Sequence, residues 1–348
     1  ELYVGVAGTA ARFLAAFCAT RRNGTFRIDG TEQMRKRPMK GLLDALDKQG
    51  AKIDSSEGFL PATLSTSGLN GGPIQLDASA STQMLSALLM VAPLAQRDLE
   101  IEVSGGAEKK PFVKLTQELM YRFGQPEQTV QTEESDTAVV TVRAGIPYNI
   151  PEEVAIEPDA AAASYFLSLP LVIGGQVTVK GLHSDSLQGD YHYTDALKDA
   201  GMTVEENAEG TTSSIAVKEL PGKSIKRNFW TISDTFMTLA AVAPVLKGIT
   251  QINGIAHTRH QESDRIAAMA SELIKLGQWV EDGDDFLRIH PCLIVPSEVY
   301  THKDHRIAMS FGILGCFNLY GDGSPWLTIR AVSYTHLRAH ETDSYLVC

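Results

Sequence analysis

The sequence predicts an α/β fold that is divided into two domains and assembled from a repeated unit. Three observations lead to that prediction. The chain has 348 residues, about twice the length of an ordinary domain. A pattern of strand, helix and glycine recurs about every 75 residues. One helix in each repeat is apolar on nearly all sides, which is typical of a helix buried inside a domain.

Two sets of glycines mark the repeat independently. The segments TFRID, LEIEV, QVTVK and TQING predict strands that close near Gly30, Gly105, Gly181 and Gly254, which are 75, 76 and 73 residues apart. The second helices are predicted to end at Gly50, Gly124, Gly201 and Gly277, with spacings of 74, 77 and 76 residues. Glycine commonly ends a helix, but that preference does not explain a constant spacing. The chain therefore holds between four and five repeats.

The first helix of each repeat follows a strand and an aspartate, at Asp77, Asp159, Asp234 and Asp304. An aspartate in front of a helix accepts hydrogen bonds from free amide groups, so N-capping is the predicted role of most of these residues. The helices that follow, such as STQMLSALLMVAPLA, are predicted to be buried. The second helices are amphipathic, and KPFVKLTQELMYRFG spaces Phe112, Leu115 and Leu119 at helical intervals.

A domain boundary is predicted near residues 148–154, where YNIPEEV resembles a loop and a fresh repeat begins. The predicted domains are residues 1–152 and residues 153–332. Residues 333–348 show no apolar period and are predicted to be an unrelated or spurious tail. The chain opens on the strand-like ELYVG without an initiator Met, and a fraction of a repeat is left over. Both features lead us to expect a fragment cut at its two ends, with poor solubility and little or no activity of its own.

Composition and charge exclude several classes of protein. The formal net charge is −11, whereas a nucleic-acid binder is usually basic. No segment approaches the roughly 18–20 apolar residues of a membrane span. The four cysteines show no C-x-x-C spacing, which predicts free thiols in a reducing, cytoplasmic compartment.

Cationic and hydroxyl residues recur at predicted helix starts, where free N–H groups and the helix dipole favour anions. They are Arg12, the run from Arg35 to Arg37, the run Ser81, Thr82 and Gln83, and then Arg265 and Arg306. Arginine suits carboxylate and phosphate because its guanidinium donates two parallel hydrogen bonds. The sequence therefore predicts an anion-binding site. For any one of these arginines, a solvated surface charge remains the alternative.

Two carboxylates, Asp234 and Glu262, open helices beside basic residues and are candidates for proton transfer, with simple capping as the alternative. The pairs His257-x-x-His260 and His302-x-x-His305 invite a metal interpretation. A metal centre needs three or four converging ligands, so no metal site is predicted.

Seven segments carry a resemblance to a known family. In order over residues 1–317 they read GVAGTAARFL, QMRKRPMKGLLDAL, ASTQMLSALLMVAPLA, EPDAAAASYFL, SDTFMTLAAVAPVLKG, RHQESDRIAAMASELIKLG and KDHRIAMSFGIL. Together they resemble the 5-enolpyruvylshikimate-3-phosphate synthases, of the enolpyruvyl transferase family. The resemblance implies two domains of βαβαββ units with buried helices, like an inverse α/β barrel, and an active site in the cleft between them.

The resemblance also implies a reaction of the shikimate pathway, which leads to chorismate and the aromatic amino acids. The enolpyruvyl group of phosphoenolpyruvate passes to the 5-hydroxyl of shikimate 3-phosphate by addition and elimination through a ketal, without metal or cofactor. A monomer is expected when the chain is full length.

Site residues follow from the same resemblance, motif by motif. Those implied for phosphoenolpyruvate are Gly8, Arg37, Gln83, Arg265 and Arg306. Those implied for shikimate 3-phosphate are Ser81, Thr82, Gln83, Lys109, Asp234, His257 and Gln261. Asp234 matches the base that accepts the 5-hydroxyl proton, and Glu262 matches the acid that protonates the methylene carbon.

Five positions depart from the family pattern: Val6, Lys109, Phe112, His257 and Gln261 stand where Asn, Ser, Tyr, Asn and Lys are usual. Two other functions stay open. A UDP-N-acetylglucosamine enolpyruvyl transferase shares the fold but usually carries a Cys before the R-P step, which GTEQMRKRP lacks. The other is an inactive fragment that binds anions weakly.

Overall fold

The computed structural model describes residues 1–78, 81–104, 106–132, 137–216 and 222–330. The predicted tail, residues 333–348, lies outside the described residues, as does Gly105. The chain divides into two compact units, Glu1–Ala155 and a second unit that begins at Ile156. Within the described ranges, no helix is long and apolar enough to cross a membrane.

The first unit contains two four-stranded sheets with the same topology. Its elements are β1 (Leu2–Tyr3), α1 (Gly8–Ala19), β2 (Gly24–Asp29), α2 (Glu32–Arg35), α3 (Lys40–Lys48), β3 (Lys52–Ser55), β4 (Ala62–Thr66), β5 (Gly72–Leu76), α4 (Gln83–Val91), β6 (Leu99–Ser104), α5 (Pro111–Arg122), β7 (Thr129–Thr132) and β8 (Thr137–Val142). The strand orders are β1-β2-β4-β3 and β5-β6-β8-β7. In each sheet the first two strands are parallel and the other pairings are antiparallel.

The second unit repeats this arrangement. Its elements are α6 (Ala160–Ile173), β9 (Gln176–Lys180), α7 (Tyr193–Asp199), β10 (Thr203–Glu206), β11 (Thr211–Ile215), β12 (Ile225–Asn228), α8 (Phe236–Val242), β13 (Thr250–Asn253), α9 (Arg265–Lys275), β14 (Trp279–Gly283), β15 (Phe286–His290), β16 (Ser297–Tyr300), α10 (His305–Gly315) and β17 (Leu327–Arg330). Its sheets run β10-β11-β9, β12-β13-β15-β14 and β16-β17. A parallel pair joined by a buried helix thus recurs at β1/β2, β5/β6, β12/β13 and β16/β17, which confirms the predicted α/β repeat.

The glycines that mark the repeat do so for a conformational reason. Gly50, Gly124, Gly201 and Gly277 have φ of +103°, +84°, +92° and +81°. Each stands just past an outer helix, where a left-handed residue lets the chain leave the last turn and a side chain would cost energy. These four glycines therefore mark the C-terminal ends of the outer helices, as predicted.

Each unit has its own core, built around the apolar helices. Every residue of α8 is buried, and so is every residue of α4 except Gln83 and Met90. Hydroxyl groups inside these helices find partners: Ser164 and Thr238 share a hydrogen bond of 3.0 Å between α6 and α8. Such pairing offsets the cost of burying polar atoms. The predicted burial is confirmed for α4, α6 and α8, whereas α10 buries one face, made of Ile307, Ser310, Phe311 and Leu314.

Two predictions about helices need correction. Asp159 and Asp304 do cap α6 and α10, accepting from Ala162 N and Arg306 N, but Asp77 and Asp234 do not cap helices. The helix after Asp77 begins only at Gln83, and the carboxylate of Asp234 is engaged by two arginines.

The buried face of α5 is also different from the predicted one. Phe112 and Leu119 are exposed, and the buried residues are Val113, Thr116 and Met120. Thr116 is drawn inward because its hydroxyl bonds to Ser86 at 2.8 Å. The buried stripe is therefore displaced by about one residue from the predicted one, and it includes a hydroxyl that pairs with the neighbouring helix α4.

Candidate active site

The beginning of α1 brings two arginines and a glutamine together. Arg12, one turn into α1, is buried. Its Nη1 donates to Gln83 Oε1 at 2.7 Å and its Nη2 donates to the Pro38 carbonyl at 2.8 Å. Arg37, which follows α2, donates from Nη1 to the Val6 carbonyl at 3.2 Å. Since that contact uses the backbone of Val6, the departure from Asn at this position leaves it intact.

Gly8, the first residue of α1, lies against both guanidinium groups. A Cβ added to Gly8 would lie 2.7 Å from Arg37 Cζ and 2.9 Å from Arg12 Nη1. Real Cβ atoms do not approach other atoms so closely, so glycine is required for this contact. We name Gly8, Arg12, Arg37 and Gln83 the first arginine cluster.

Helices α1 and α4 begin without a capping side chain on the N-cap residue, as α3 and α5 also do. Neither α1 nor α4 carries an acidic residue in its first turn. The amide groups at these ends and the helix dipoles therefore add to the positive potential of the arginines. Ser81 and Thr82 lie directly before α4, half-buried, and Ser81 Oγ accepts from the Gln83 amide at 3.3 Å.

Lys109 lies in a short 3₁₀ turn, Ala107–Lys109, and its side chain is exposed. Its Nζ is 3.7 Å from the carboxylate of the buried Glu108. The next residue, Lys110, was not predicted as a site residue, yet burial lowers its pKa to about 8. A lysine in that range remains a cation at neutral pH and loses its charge under mildly alkaline conditions.

In the second unit, Arg265 is buried among three carboxylates. It is the first residue of α9. Its Nε donates to Asp304 Oδ2 at 2.8 Å, its Nη1 to Asp234 Oδ1 at 3.0 Å and its Nη2 to Glu262 Oε2 at 2.7 Å. Nη1 also donates to the Gln261 side-chain oxygen. Charge-assisted bonds of this kind fix both the arginine and its partners.

Asp234 joins Arg265 to a second arginine. It lies in the turn Ser233–Thr235 before α8, and Arg306 Nη2 donates to its Oδ2 at 3.0 Å. Burial alone would raise the pKa of Asp234, but Arg306 and Arg265 outweigh burial and hold that pKa below its ordinary value. We name Asp234, Glu262, Arg265, Asp304 and Arg306 the second arginine cluster. The Asp234 side chain is 21% exposed, so a ligand can reach it.

His257 and His302, one histidine from each predicted pair, make ordinary polar contacts. His257 Nε2 shares a hydrogen bond of 2.8 Å with Ser233 Oγ, beside the turn that carries Asp234. His302 Nε2 bonds to Glu272 Oε1 at 2.6 Å. Among the described residues, no three His, Cys, Asp or Glu side chains are grouped so that they could hold a metal ion.

A buried carboxylate holds the loop before α10, and no sequence pattern pointed to that residue. Glu272, fully buried in α9, accepts from Tyr300 N at 3.0 Å and pairs with His302. His302 and Lys303 have φ of +51° and +58°, a conformation that costs non-glycine residues energy and is tolerated where surrounding contacts impose it. This loop delivers Asp304 to Arg265.

The sequence that carries these two clusters matches a known protein family. The sequence model of EPSP synthase, described as 3-phosphoshikimate 1-carboxyvinyltransferase, matches residues 1–321. The chain belongs to the EPSP synthase family. It is an enzyme family, and the chain's mixed α/β units are consistent with its two-domain fold.

Curated relatives agree with this membership. A 3-phosphoshikimate 1-carboxyvinyltransferase of Opitutus terrae is 47% identical over 335 residues, which cover 95% of this chain and 73% of that protein. One of Nostoc punctiforme is 39% identical over 317 residues, covering 90% of this chain and 72% of that protein.

Solved structures show the same fold. An EPSP synthase structure from Acinetobacter baumannii superposes with a TM-score of 0.65 at 24% sequence identity, covering 90% of this chain and 71% of that one. A second structure of EPSP synthase from that organism superposes with a TM-score of 0.64 at 22% identity. At this identity the comparison supports the fold alone.

Most of the residues predicted for an EPSP synthase site fall into the two clusters. Gly8, Arg37 and Gln83 meet in the first, and Asp234, Glu262, Arg265 and Arg306 meet in the second, with Gln261 bonded to it. Two further members, Arg12 and Asp304, were noticed in the sequence only as a helix-start cation and a cap. Their burial, which a single sequence does not display, distinguishes them.

Proposed function

We propose that this member of the EPSP synthase family transfers the enolpyruvyl group of phosphoenolpyruvate to the 5-hydroxyl of shikimate 3-phosphate and releases phosphate. The observation that carries the proposal is the position of Asp234, with Arg265 Nη1 and Arg306 Nη2 each 3.0 Å from its carboxylate oxygens. A carboxylate held between two guanidinium groups suits a reaction in which a proton acceptor must stand beside a bound anion.

In the first unit, we assign anion binding to Gly8, Arg37 and Gln83, with Arg12 as the residue that holds Gln83. The uncapped starts of α1 and α4 supply N–H groups to the same anions. Ser81 and Thr82, which directly precede α4, are assigned to the phosphate of shikimate 3-phosphate. Lys109 is assigned to the same phosphate because its exposed ammonium can move.

In the second unit, Arg265 and Arg306 are assigned to the carboxylate and phosphate of phosphoenolpyruvate. When such an anion binds, its negative charge offsets part of the positive charge of Arg265 and Arg306, which lowers the pKa of Asp234 in the free protein. The pKa of Asp234 then rises toward its ordinary value, and the carboxylate becomes a stronger base. The site is therefore arranged so that the base gains strength as the substrate arrives.

The proposed chemistry has two steps. Asp234 takes the proton of the 5-hydroxyl while that oxygen bonds to C2 of phosphoenolpyruvate and Glu262 gives a proton to C3, which produces a ketal that holds both substrates. The C–O bond to phosphate then breaks, the methyl group returns one proton to Glu262, and phosphate leaves with the proton that Asp234 took. Arg265 steadies Glu262 through a 2.7 Å bond, and the two arginines stabilise the charge on the ketal.

His257 and Gln261 are assigned to shikimate 3-phosphate. Gln261 replaces the lysine that is usual in the resembling family, and its amide oxygen accepts from Arg265. Glutamine therefore supplies less positive charge to shikimate 3-phosphate than a lysine at this position would. A monomeric state, a cytoplasmic location and the absence of a cofactor complete the proposal; the three described cysteines, Cys18, Cys292 and Cys316, are free thiols.

Calorimetric titration tests the proposal against its alternatives. We expect shikimate 3-phosphate to bind, UDP-N-acetylglucosamine not to bind, and phosphoenolpyruvate to bind more tightly after shikimate 3-phosphate is added. Phosphate release with both substrates completes the test. Binding of the sugar nucleotide instead would identify the sister transferase, and weak binding of all three would leave only an anion-binding protein.

A further inference from the structure

A buried carboxyl beside the second arginine cluster has no part in the reaction described above. Asp190 lies in the 3₁₀ turn Gly189–His192, directly before α7, and only 5% of its surface is exposed. Its Oδ1 is buried and has no hydrogen-bond partner among the described residues. A buried carboxylate oxygen without a donor is costly, whereas a protonated carboxyl is much cheaper to bury.

Side-chain bonds fix this turn against the start of α6. Gln188, just before the turn, donates to the Pro158 carbonyl at 2.7 Å and accepts from Ala160 N at 2.9 Å. Glu157 accepts from Ser186 Oγ at 2.6 Å. These contacts hold the turn that carries Asp190 against the segment that carries Asp159.

Three charged groups face Asp190 from the elements packed against it. They are Asp159 at the start of α6, Asp234 in the turn before α8, and Arg306 in α10. Arg306 already donates to Asp234. The carboxyl groups of Asp159, Asp190 and Asp234 therefore all interact with the guanidinium of Arg306. Asp234 has Arg265 as a second cationic partner, whereas Asp190 has none among the described residues. Burial raises the pKa of Asp190 to about 7, with the Asp234 carboxylate adding to the rise.

We propose that Asp190 is a positioning residue that holds a proton beside the Asp234–Arg306 ion pair and so keeps the charge of Arg306 available to Asp234 and to an anionic ligand. Asp190 does not touch the reacting atoms; it acts through Arg306. The effect on the ligand rests on the proposed binding of phosphoenolpyruvate at Arg306, whereas the effect on the free protein does not.

Ionisation of Asp190 has a definite consequence. Once it loses its proton, a second negative charge competes with the ligand for Arg306, so anion binding weakens as pH rises through neutrality. By linkage, a bound anion raises the pKa of Asp190 further. A rise of one unit on binding corresponds to about tenfold weaker binding at alkaline pH.

The free protein supplies the first test, through the variant Asp190→Asn. A carboxyl with a raised pKa in the folded state holds its proton there after the unfolded chain has lost it, so its contribution to stability falls as pH rises from about 4 to 7. Asparagine mimics the neutral carboxyl at every pH. We expect Asp190→Asn to gain stability over the unsubstituted protein as pH rises from 5 to 8, measured by the midpoint of urea unfolding.

The control is Asp54→Asn, because Asp54 is exposed in β3 and residues 1–155 contain no histidine that titrates in this range. Its difference from the unsubstituted protein should not change with pH over this range. If the stability difference between Asp190→Asn and the unsubstituted protein is instead the same at pH 5 and at pH 8, Asp190 is ionised throughout this range and the proposal is wrong.

Ligand binding supplies the second test. The dissociation constant of phosphoenolpyruvate is measured by calorimetry, with shikimate 3-phosphate present, at pH 6 and pH 9. At each pH, the dissociation constant of the unsubstituted protein is divided by that of Asp190→Asn. This ratio cancels the effect of the ligand's own titration. We expect a ratio near one at pH 6 and about ten at pH 9. If the ratio is the same at pH 6 and at pH 9, Asp190 does not act on ligand binding through Arg306. Absence of binding in both proteins overturns the proposed function, and the unfolding experiment still decides whether Asp190 holds a proton.

Discussion

Arg265 and Asp304 form an ion pair that is closed off from solvent. Arg265 Nε donates to Asp304 Oδ2 at 2.8 Å, with 1% of one side chain and none of the other exposed. Asp304 also caps α10, accepting from Arg306 N at 2.9 Å. One carboxylate therefore fixes the start of two helices, α9 and α10, which carry the two arginines of the second cluster.

We expect Asp304→Ala to lower the free energy of unfolding by about 3–5 kcal/mol, because it leaves a buried guanidinium short of a partner. Urea unfolding measures the loss. Asp44→Ala is the matched control, since Asp44 pairs with Lys40 on the surface, and it should cost about 1 kcal/mol or less. Equal losses in the two variants would show that the buried pair contributes no more than a surface pair.

The same residue predicts a pH dependence. Burial opposes ionisation of Asp304, but Arg265 outweighs it, so the pKa of Asp304 is below its ordinary value. A carboxyl with a lowered folded-state pKa stabilises the fold at every pH above its unfolded value, and that contribution is lost as pH falls through the folded value. Acid unfolding should therefore begin at higher pH in Asp304→Ala. Coincident acid transitions would contradict this.

In a protein that spans the full length of its relatives, Asp234→Ala should lower kcat by roughly 10²–10⁴-fold, the usual effect of removing a positioned general base. The affinity for shikimate 3-phosphate should change much less, because the residues assigned to its phosphate, Ser81, Thr82 and Lys109, remain. Steady-state phosphate release and calorimetry separate the two effects. A near-normal kcat would limit Asp234 to a structural role between the arginines.

The repeat could be predicted from the sequence because its marks are local. A glycine with positive φ after an outer helix, such as Gly124 or Gly277, needs no knowledge of the rest of the chain. Buried helices such as α8 are also recognisable, since every residue is apolar or small.

Other features depend on partners that are distant in the chain. Asp234 looked like a cap because it precedes a helix, but Arg265 and Arg306, 31 and 72 residues away, engage its oxygens instead. The neutral carboxyl inferred for Asp190 likewise depends on packing against α6 and against the turn Ser233–Thr235, which are distant in the chain. No local pattern distinguishes Asp190 from an exposed aspartate such as Asp185.

Arg37→Ala should weaken phosphoenolpyruvate binding by about 2–3 kcal/mol, the value of a charge-assisted hydrogen bond. Arg21→Ala, which removes an exposed arginine of the same unit, is the control and should bind normally. Titration in the presence of shikimate 3-phosphate measures both. Unchanged affinity in Arg37→Ala would make the first arginine cluster a solvated surface.

Gly8→Ala tests the same cluster without removing a charge. The new Cβ would stand 2.7 Å from Arg37 Cζ, so the guanidinium must move away from the start of α1. Alanine is also the better helix former, and Gly8 does not have a positive φ, so stability should stay level or rise slightly. Phosphoenolpyruvate affinity should nevertheless fall in the same direction as in Arg37→Ala. Gly222→Ala, where a Cβ meets no atom within 4 Å, should change neither quantity. If Gly8→Ala binds phosphoenolpyruvate as tightly as the unsubstituted protein, the position of Arg37 over the helix start does not determine binding.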